Sequence, residues 1–339
     1  DLWVVDIRRF SDIHRDETWV RNRTLELYGK HYTLSWPHEE HESGRPLLTS
    51  PIYEKLKEQG ASFGSKLGWE RPNWFAPKGV DPRDIYSYGR QNWFPHVGEE
   101  HRAVREGVAV FDQSSFSKFR IIGIDAEKAL SRICANNVAK PAGSLTYTQM
   151  LNSKGGIECD LTVARLADDE FYLVSGTAFR THDAAWIRSQ FLADENVELQ
   201  DISEDWATFS LMGPLARDIL SSVSKDDLDN ENFHFGTCQK IEIEEEFSAE
   251  VPTVLALRVT YVGELGWELH MPRDSAENLY DALMEAGKDF SIANAGYRAI
   301  ESLRLEKGYR AWGADITADT TPFEAGLGSV SYTHLRAHE

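Results

Sequence analysis

Asp160-Leu-Thr-Val-Ala-Arg-Leu166 and Glu170-Phe-Tyr-Leu-Val-Ser175, separated only by Ala167-Asp168-Asp169, decide the fold class. The runs carry β-branched and aromatic residues around a short polar turn, so they read as an antiparallel hairpin. A second hairpin lies further along. Thr253 to Tyr261 reads as a strand, Val262-Gly-Glu-Leu-Gly266 as its turn, and Trp267 to Met271 as the returning strand. Lys118 to Ile124 and Trp206 to Leu211 are further strands, the second broken at Gly213-Pro214 and followed by a helix through Leu220. Helices are expected at Tyr53 to Gln59, stopped by Gly60, at Glu99 to Glu106, closed by Gly107, and at Asp125 to Ile133, begun by an Asp cap. Ser275 to Ala286 is the clearest helix, with Ala276, Leu279, Tyr280, Leu283 and Met284 on one face. Hairpins and helices are segregated, without βαβ repetition. The architecture is therefore α+β rather than a doubly wound parallel sheet.

The 339 residues fit two domains, or one large domain with an appendage. Lys and Arg number 36 against 55 Asp and Glu, a formal charge of −19. Such a chain is repelled by phosphate backbones and anionic lipid, which excludes general nucleic-acid binding. No apolar run approaches the roughly 20 residues of a membrane helix. Three cysteines, Cys134, Cys159 and Cys238, are too few for a disulfide framework or a structural zinc site. Residues 1 to about 70 are irregular, interrupted by Pro37, Gly44, Pro46 and Pro51. The last nine, Ser331 to Glu339, break the preceding pattern and read as a non-native tail.

Standard chemical signatures are absent: no G-x-G-x-x-G, P-loop, H-E-x-x-H, G-x-S-x-G or C-x-x-C. His38 and His41 sit among glutamates, but no third ligand is indicated, so the stretch reads as a solvated acidic loop. Four segments stand out. In Thr146-Tyr-Thr-Gln-Met-Leu-Asn152 with Gly155-Gly-Ile-Glu-Cys-Asp160, the glycine pair permits close backbone approach to a ligand, and Asp160 opens a strand where a carboxylate is disfavoured. In Tyr261-Val-Gly-Glu-Leu-Gly-Trp-Glu268, Glu268 follows a sharp reversal. Arg298, in Gly296-Tyr-Arg-Ala-Ile-Glu-Ser-Leu-Arg-Leu-Glu-Lys307, begins a helix, where a cation opposes the dipole unless it has an anionic partner. Asp319-Thr-Thr-Pro-Phe-Glu-Ala-Gly326 is a loop with no chemistry legible in isolation.

The order of these segments, with Glu100-His-x-Ala-Val-Arg105, Val110-Phe-Asp-Gln-Ser114, Leu211-Met-Gly-Pro214 and Ser302-Leu-Arg-Leu-Glu306, resembles the folate-binding aminomethyltransferase fold of the glycine cleavage T-protein. Asp1 to Phe10, Gly44-Arg-Pro-Leu47, Gly68-Trp-Glu-Arg-Pro-Asn-Trp-Phe75 and Asn294 to Ile300 are similar to the sarcosine and dimethylglycine dehydrogenases, flavoproteins fused to that fold. The resemblance implies a fragment. Residues 1–70 would be the end of an FAD domain and a partial central domain. Residues 71–330 would be the folate domain, without its C-terminal barrel domain. It further implies that FAD in the intact protein oxidises an N-methylglycine. This part would then trap the iminium or formaldehyde unit on tetrahydrofolate as 5,10-methylene-tetrahydrofolate. On it Asp160 is the essential aspartate, with Cys159 where many T-proteins carry a second one. Glu268 and Arg298 contact folate, and Tyr261, Tyr147 and Met150 line its pocket.

The implied partners are a small amine, folate and an electron-transfer protein. The implied compartment is the cytoplasm in a bacterium and the mitochondrial matrix in a eukaryote. Two other family members remain as alternatives: a stand-alone aminomethyltransferase using a lipoyl carrier, and a non-catalytic subunit like the regulator of pyruvate dehydrogenase phosphatase.

Overall fold

The computed structural model describes residues 5–10, 12–245 and 253–328; the suspected tail at 331–339 lies outside the described residues. The chain opens with α1 (Glu17–Gly29), α2 (Tyr53–Glu58) and a β1–β2 hairpin (Ala61–Lys66, Trp69–Phe75). There follow α3 (Phe94–Glu106), β3 (Ala109–Asp112), β4 (Ser117–Ile122), α4 (Ala126–Ile133), β5 (Leu145–Leu151), β6 (Ile157–Arg165), β7 (Glu170–Ser175), α5 (Arg180–Gln190) and β8 (Glu198–Asp201). The last third holds β9 (Trp206–Met212), α6 (Ala216–Val223), β10 (Cys238–Glu242), β11 (Thr253–Leu257), β12 (Gly266–Pro272), α7 (Ala276–Ala286), β13 (Ala293–Asn294) and α8 (Tyr297–Glu306).

Strands assemble into a six-stranded sheet, β10-β11-β12-β9-β3-β13, and a five-stranded sheet, β5-β6-β7-β4-β8. Every recorded strand pair is antiparallel except the two-residue β13–β3 contact. The fold is α+β, as the hairpin reading expects. Ile219, Leu220, Leu279 and Leu283 pack α6 and α7 on the outer face of the six-stranded sheet. Leu130, Ile133, Ala184 and Ile187 pack α4 and α5 on the outer face of the other sheet. The inner faces meet through Leu145, Ala164, Tyr172 and Val174 on one side and Cys238, Leu255 and Leu257 on the other. The layers run helix, sheet, sheet, helix. Period-2 alternation within each strand lets one sheet bury both faces.

Two local expectations change. Asp125 precedes α4, but its carboxylate accepts from the Asn196 backbone N–H at 2.8 Å instead of capping the helix. The irregular N-terminal stretch contains α1, capped by Asp16 through the Trp19 N–H at 2.7 Å. None of its residues is buried, so it lacks the apolar stripe by which a helix announces itself in sequence.

Candidate functional site

Where the two sheets splay apart, a cavity of about 620 Å³ opens between them. Leu145, Tyr147, Asp160 and Thr162 line it from β5 and β6, Glu268 from β12, and Tyr261 from the turn ahead of β12. Gly308 to Trp312, the chain that follows α8, makes a further wall. Three clamps hold these parts. Arg105 on α3 donates to the Val262 carbonyl at 2.6 Å and to Glu264 at 2.8 Å, which fixes the turn leading to Glu268. Buried Arg304 on α8 donates to the Tyr309 carbonyl at 2.7 Å. The Tyr261 hydroxyl donates to the Arg310 carbonyl, and the Trp312 indole to that of Ile157, at 2.8 and 2.7 Å.

The Gly155-Gly156 turn does permit a close backbone approach, but the approaching group is the chain itself. A Cβ on Gly156 would lie 1.8 Å from the Ala318 carbonyl oxygen, so glycine is required for the 317–321 loop to dock. Thr320 accepts from the Ile157 N–H at 2.9 Å in the same contact. The stretch around Asp319 thus serves to seat the cavity wall against the start of β6.

Asp160 pairs across the ladder with Gln149, whose side-chain amide donates to Oδ1 at 2.9 Å. Burial pushes its carboxyl up to about 6, against the lowering effect of hydrogen bonds from Gln149 and Tyr147. Glu268 is 8% exposed. Among the described residues its carboxylate accepts no hydrogen bond; its nearest ring neighbour, His270 Nε2, stands at 3.5 Å. A buried carboxylate without donors is costly unless a ligand supplies them.

Of the residues singled out in the sequence, Asp160, Glu268, Tyr261 and Tyr147 share this cavity. Met150 and Arg298 do not. Met150 is one position out of phase with Tyr147 and Gln149 on β5, so it points to the opposite face and is fully buried among Cys159, Leu161 and Leu173. Arg298 has its anionic partner elsewhere: Nη1 donates to Asp84 Oδ1 at 2.9 Å, Nη2 pairs with Oδ2, and the guanidinium stacks 4.3 Å from the Trp93 ring. Sequence reading missed Gln149, His270 and Arg310. The first two were signalled by position, Gln149 inside the quoted β5 motif and His270 two residues past Glu268. Arg310 had no local signal.

A separate buried cluster joins Cys159, His182 and Asp183, whose ligand atoms lie within 4.8 Å of one another. His182 meets Asp183 through Nδ1 at 2.9 Å and Glu158 through Nε2 at 3.1 Å. Both ring nitrogens therefore face carboxylates, and these partners raise the histidine above its usual range although burial opposes them. An imidazolium bridging two acids accounts for the cluster.

The GCVT N-terminal domain corresponds to residues 52–333, and the FAD dependent oxidoreductase central domain to residues 1–50. The chain belongs to the GCVT family. Mitochondrial sarcosine dehydrogenase of Mus musculus is 40% identical, over 96% of this chain and 39% of that protein. Mitochondrial dimethylglycine dehydrogenase of Homo sapiens is 38% identical, over 96% of this chain and 37% of that one. The chain thus spans under half the length of these relatives. The crystal structure of glycine cleavage system aminomethyltransferase T from Bartonella henselae superposes with a TM-score of 0.70 at 27% identity, covering 86% of this chain and 71% of that one. Among the described residues no helix is long and apolar enough to cross a membrane.

Proposed function

We propose that this GCVT-family chain is the tetrahydrofolate-binding, one-carbon-accepting part of an FAD-dependent N-methylglycine dehydrogenase. The observation that carries the reading is Glu268, a buried carboxylate facing the inter-sheet cavity with no hydrogen-bond donor among the described residues. A pterin offers an amino group and a ring N–H side by side, and one carboxylate accepts both in a charge-assisted pair. Bound there, tetrahydrofolate would supply nucleophilic nitrogens that take up the one-carbon unit as 5,10-methylene-tetrahydrofolate.

Asp160 then holds the proton that leaves. Its raised pKa, about 6, lies close to neutral pH, where a carboxylate both stabilises a nearby cation and exchanges a proton readily. Gln149 fixes one of its oxygens. The apolar walls, Leu145, Val174, Val259 and Leu327, exclude water that would otherwise release formaldehyde. Arg310, exposed at the cavity wall, offers a cation to the folate tail in place of Arg298, which Asp84 occupies. The chain's 24 glycines form no G-x-G-x-x-G turn, so these residues do not fit the flavin, and amine oxidation lies outside them.

Anaerobic titration of the chain with tetrahydrofolate, followed by quenching of Trp fluorescence, tests the reading. Saturable binding that Glu268→Gln weakens supports it. Equal affinity in wild type and variant removes its basis.

A further inference from the structure

His270 lies two residues beyond Glu268 on β12, and strand alternation places both side chains on one face. The imidazole is completely buried. Its Nδ1 faces two hydroxyls, Tyr172 from β7 of the opposite sheet and Thr208 from neighbouring β9, each at 2.9 Å. Its Nε2 has no hydrogen-bond partner among the described residues and stands 3.5 Å from Glu268 Oε2.

A neutral imidazole has one N–H and one acceptor nitrogen. Neither hydroxyl has another side-chain partner among the described residues, and one of them can donate to the single Nδ1 lone pair. The proton then sits on Nε2. The other tautomer would set an Nε2 lone pair against a carboxylate oxygen. Burial also holds the ring's pKa below its ordinary value, toward the neutral form, although Glu268 opposes this.

We infer that His270 is the positioning residue of Glu268: its Nε2–H, fixed by Tyr172 and Thr208, holds one carboxylate oxygen so that the acid meets its ligand already aimed. A small shift of the carboxylate closes the 3.5 Å contact to hydrogen-bond length. The ligand's two N–H groups then find lone pairs whose direction is set by the protein. This rests on the folate reading of Glu268 and adds a second residue to it.

The experiment has two arms on the full chain. In the first, histidine 15N spectra without ligand identify His270 by the signal lost in His270→Asn. A protonated Nε2 and a bare Nδ1 are expected, and a proton on Nδ1 overturns the inference. In the second, tetrahydrofolate affinity is compared in two variants. The amide nitrogen of His270→Gln reaches the place of Nε2, so affinity stays within about threefold. The amide of His270→Asn reaches only the place of Nδ1, so affinity falls about tenfold, as for one lost charge-assisted hydrogen bond. Wild-type affinity in His270→Asn, or equal losses in both, overturns the inference. Thermal melting of both variants separates packing from aim, since a packing role alone lowers stability without dividing the two affinities. If wild type does not bind tetrahydrofolate, the folate reading fails, and the tautomer still stands or falls on the spectra.

Discussion

The cavity and the cluster around Arg298 treat charge in opposite ways. At Arg298 the guanidinium is paired on both terminal nitrogens, although the buried indole N–H of Trp93 beneath it has no partner among the described residues. Asp84 receives two guanidinium nitrogens, the Trp74 indole N–H at 2.7 Å and the Ser62 hydroxyl at 3.4 Å. At the cavity, among the described residues, Glu268 lacks donors, Asp160 has its pKa raised by burial, and His270 leaves a nitrogen unpaired. A saturated buried network contributes to architecture, since any ligand would have to break it first. An unsatisfied one costs stability in the free protein and returns that cost on binding. Family position alone put Arg298 and Glu268 in one site; hydrogen bonding separates them.

The largest expected effect lies on the saturated side. Asp84→Ala leaves Arg298 buried and unpaired and should cost about 3–5 kcal/mol in urea unfolding. Asp84 also predicts a pH dependence. Burial pushes its pKa up, but the pairing with Arg298 and the hydrogen bonds from Trp74 and Ser62 together outweigh burial, and the net shift is downward from 3.8. Its stabilisation is therefore present above pH 3.8 and is lost as pH falls through the lower folded value. Arg298→Met should leave tetrahydrofolate affinity near wild type; a tenfold loss would erase the distinction between the regions. Next comes Glu268→Gln, which should weaken tetrahydrofolate by about 2–3 kcal/mol, measured by fluorescence titration, while leaving the melting temperature equal or higher.

How much of this was legible depends on whether a signal is local. The β6–β7 hairpin, the β11–β12 reversal and α7 declare themselves through alternation or helical spacing, and all three form. Asp160 stood out because a carboxylate read as opening a strand needs an explanation, although β6 already begins at Ile157, and Glu268 because it follows a sharp reversal. Met150 shows the limit of motif reading: belonging to the same quoted run as Tyr147 says nothing about face, and one residue of register sends it into the core. Arg298 shows another. The argument that a helix-opening cation needs an anion was sound, but Asp84 is 214 residues away, and no spacing rule reaches that far. His270 was within reach, because i and i+2 on a strand share a face.

Asp160 sharpens the comparison from the cavity side. Its folded pKa, about 6, lies above the ordinary 3.8, so the folded state binds the extra proton. Stability then falls as pH rises from 3.8 to about 6, and the penalty is complete above that range. Asp160→Asn removes the penalty. It should be about 1–3 kcal/mol more stable than wild type at pH 8, with the gap closing toward pH 4. Urea unfolding at both pH values checks this, and a gap that stays constant means the carboxyl is not raised by burial.

Arg310 is the smallest effect and the most exposed group. Its guanidinium is solvated, so an ion pair with the folate tail is worth about 0.5–1 kcal/mol and is screened by salt. Arg310→Ala should weaken tetrahydrofolate by only a few-fold at low ionic strength, and the difference should vanish in high salt. A reduced pterin without the glutamate tail should bind the variant and wild type alike, because Glu268 grips the ring and not the tail. If the tailless compound also loses affinity, Arg310 acts on the ring end or on the 309–315 loop that Arg304 holds. The mouth of the cavity would then belong with the saturated architecture, and the line between the two regions would have to be drawn inside the cavity wall.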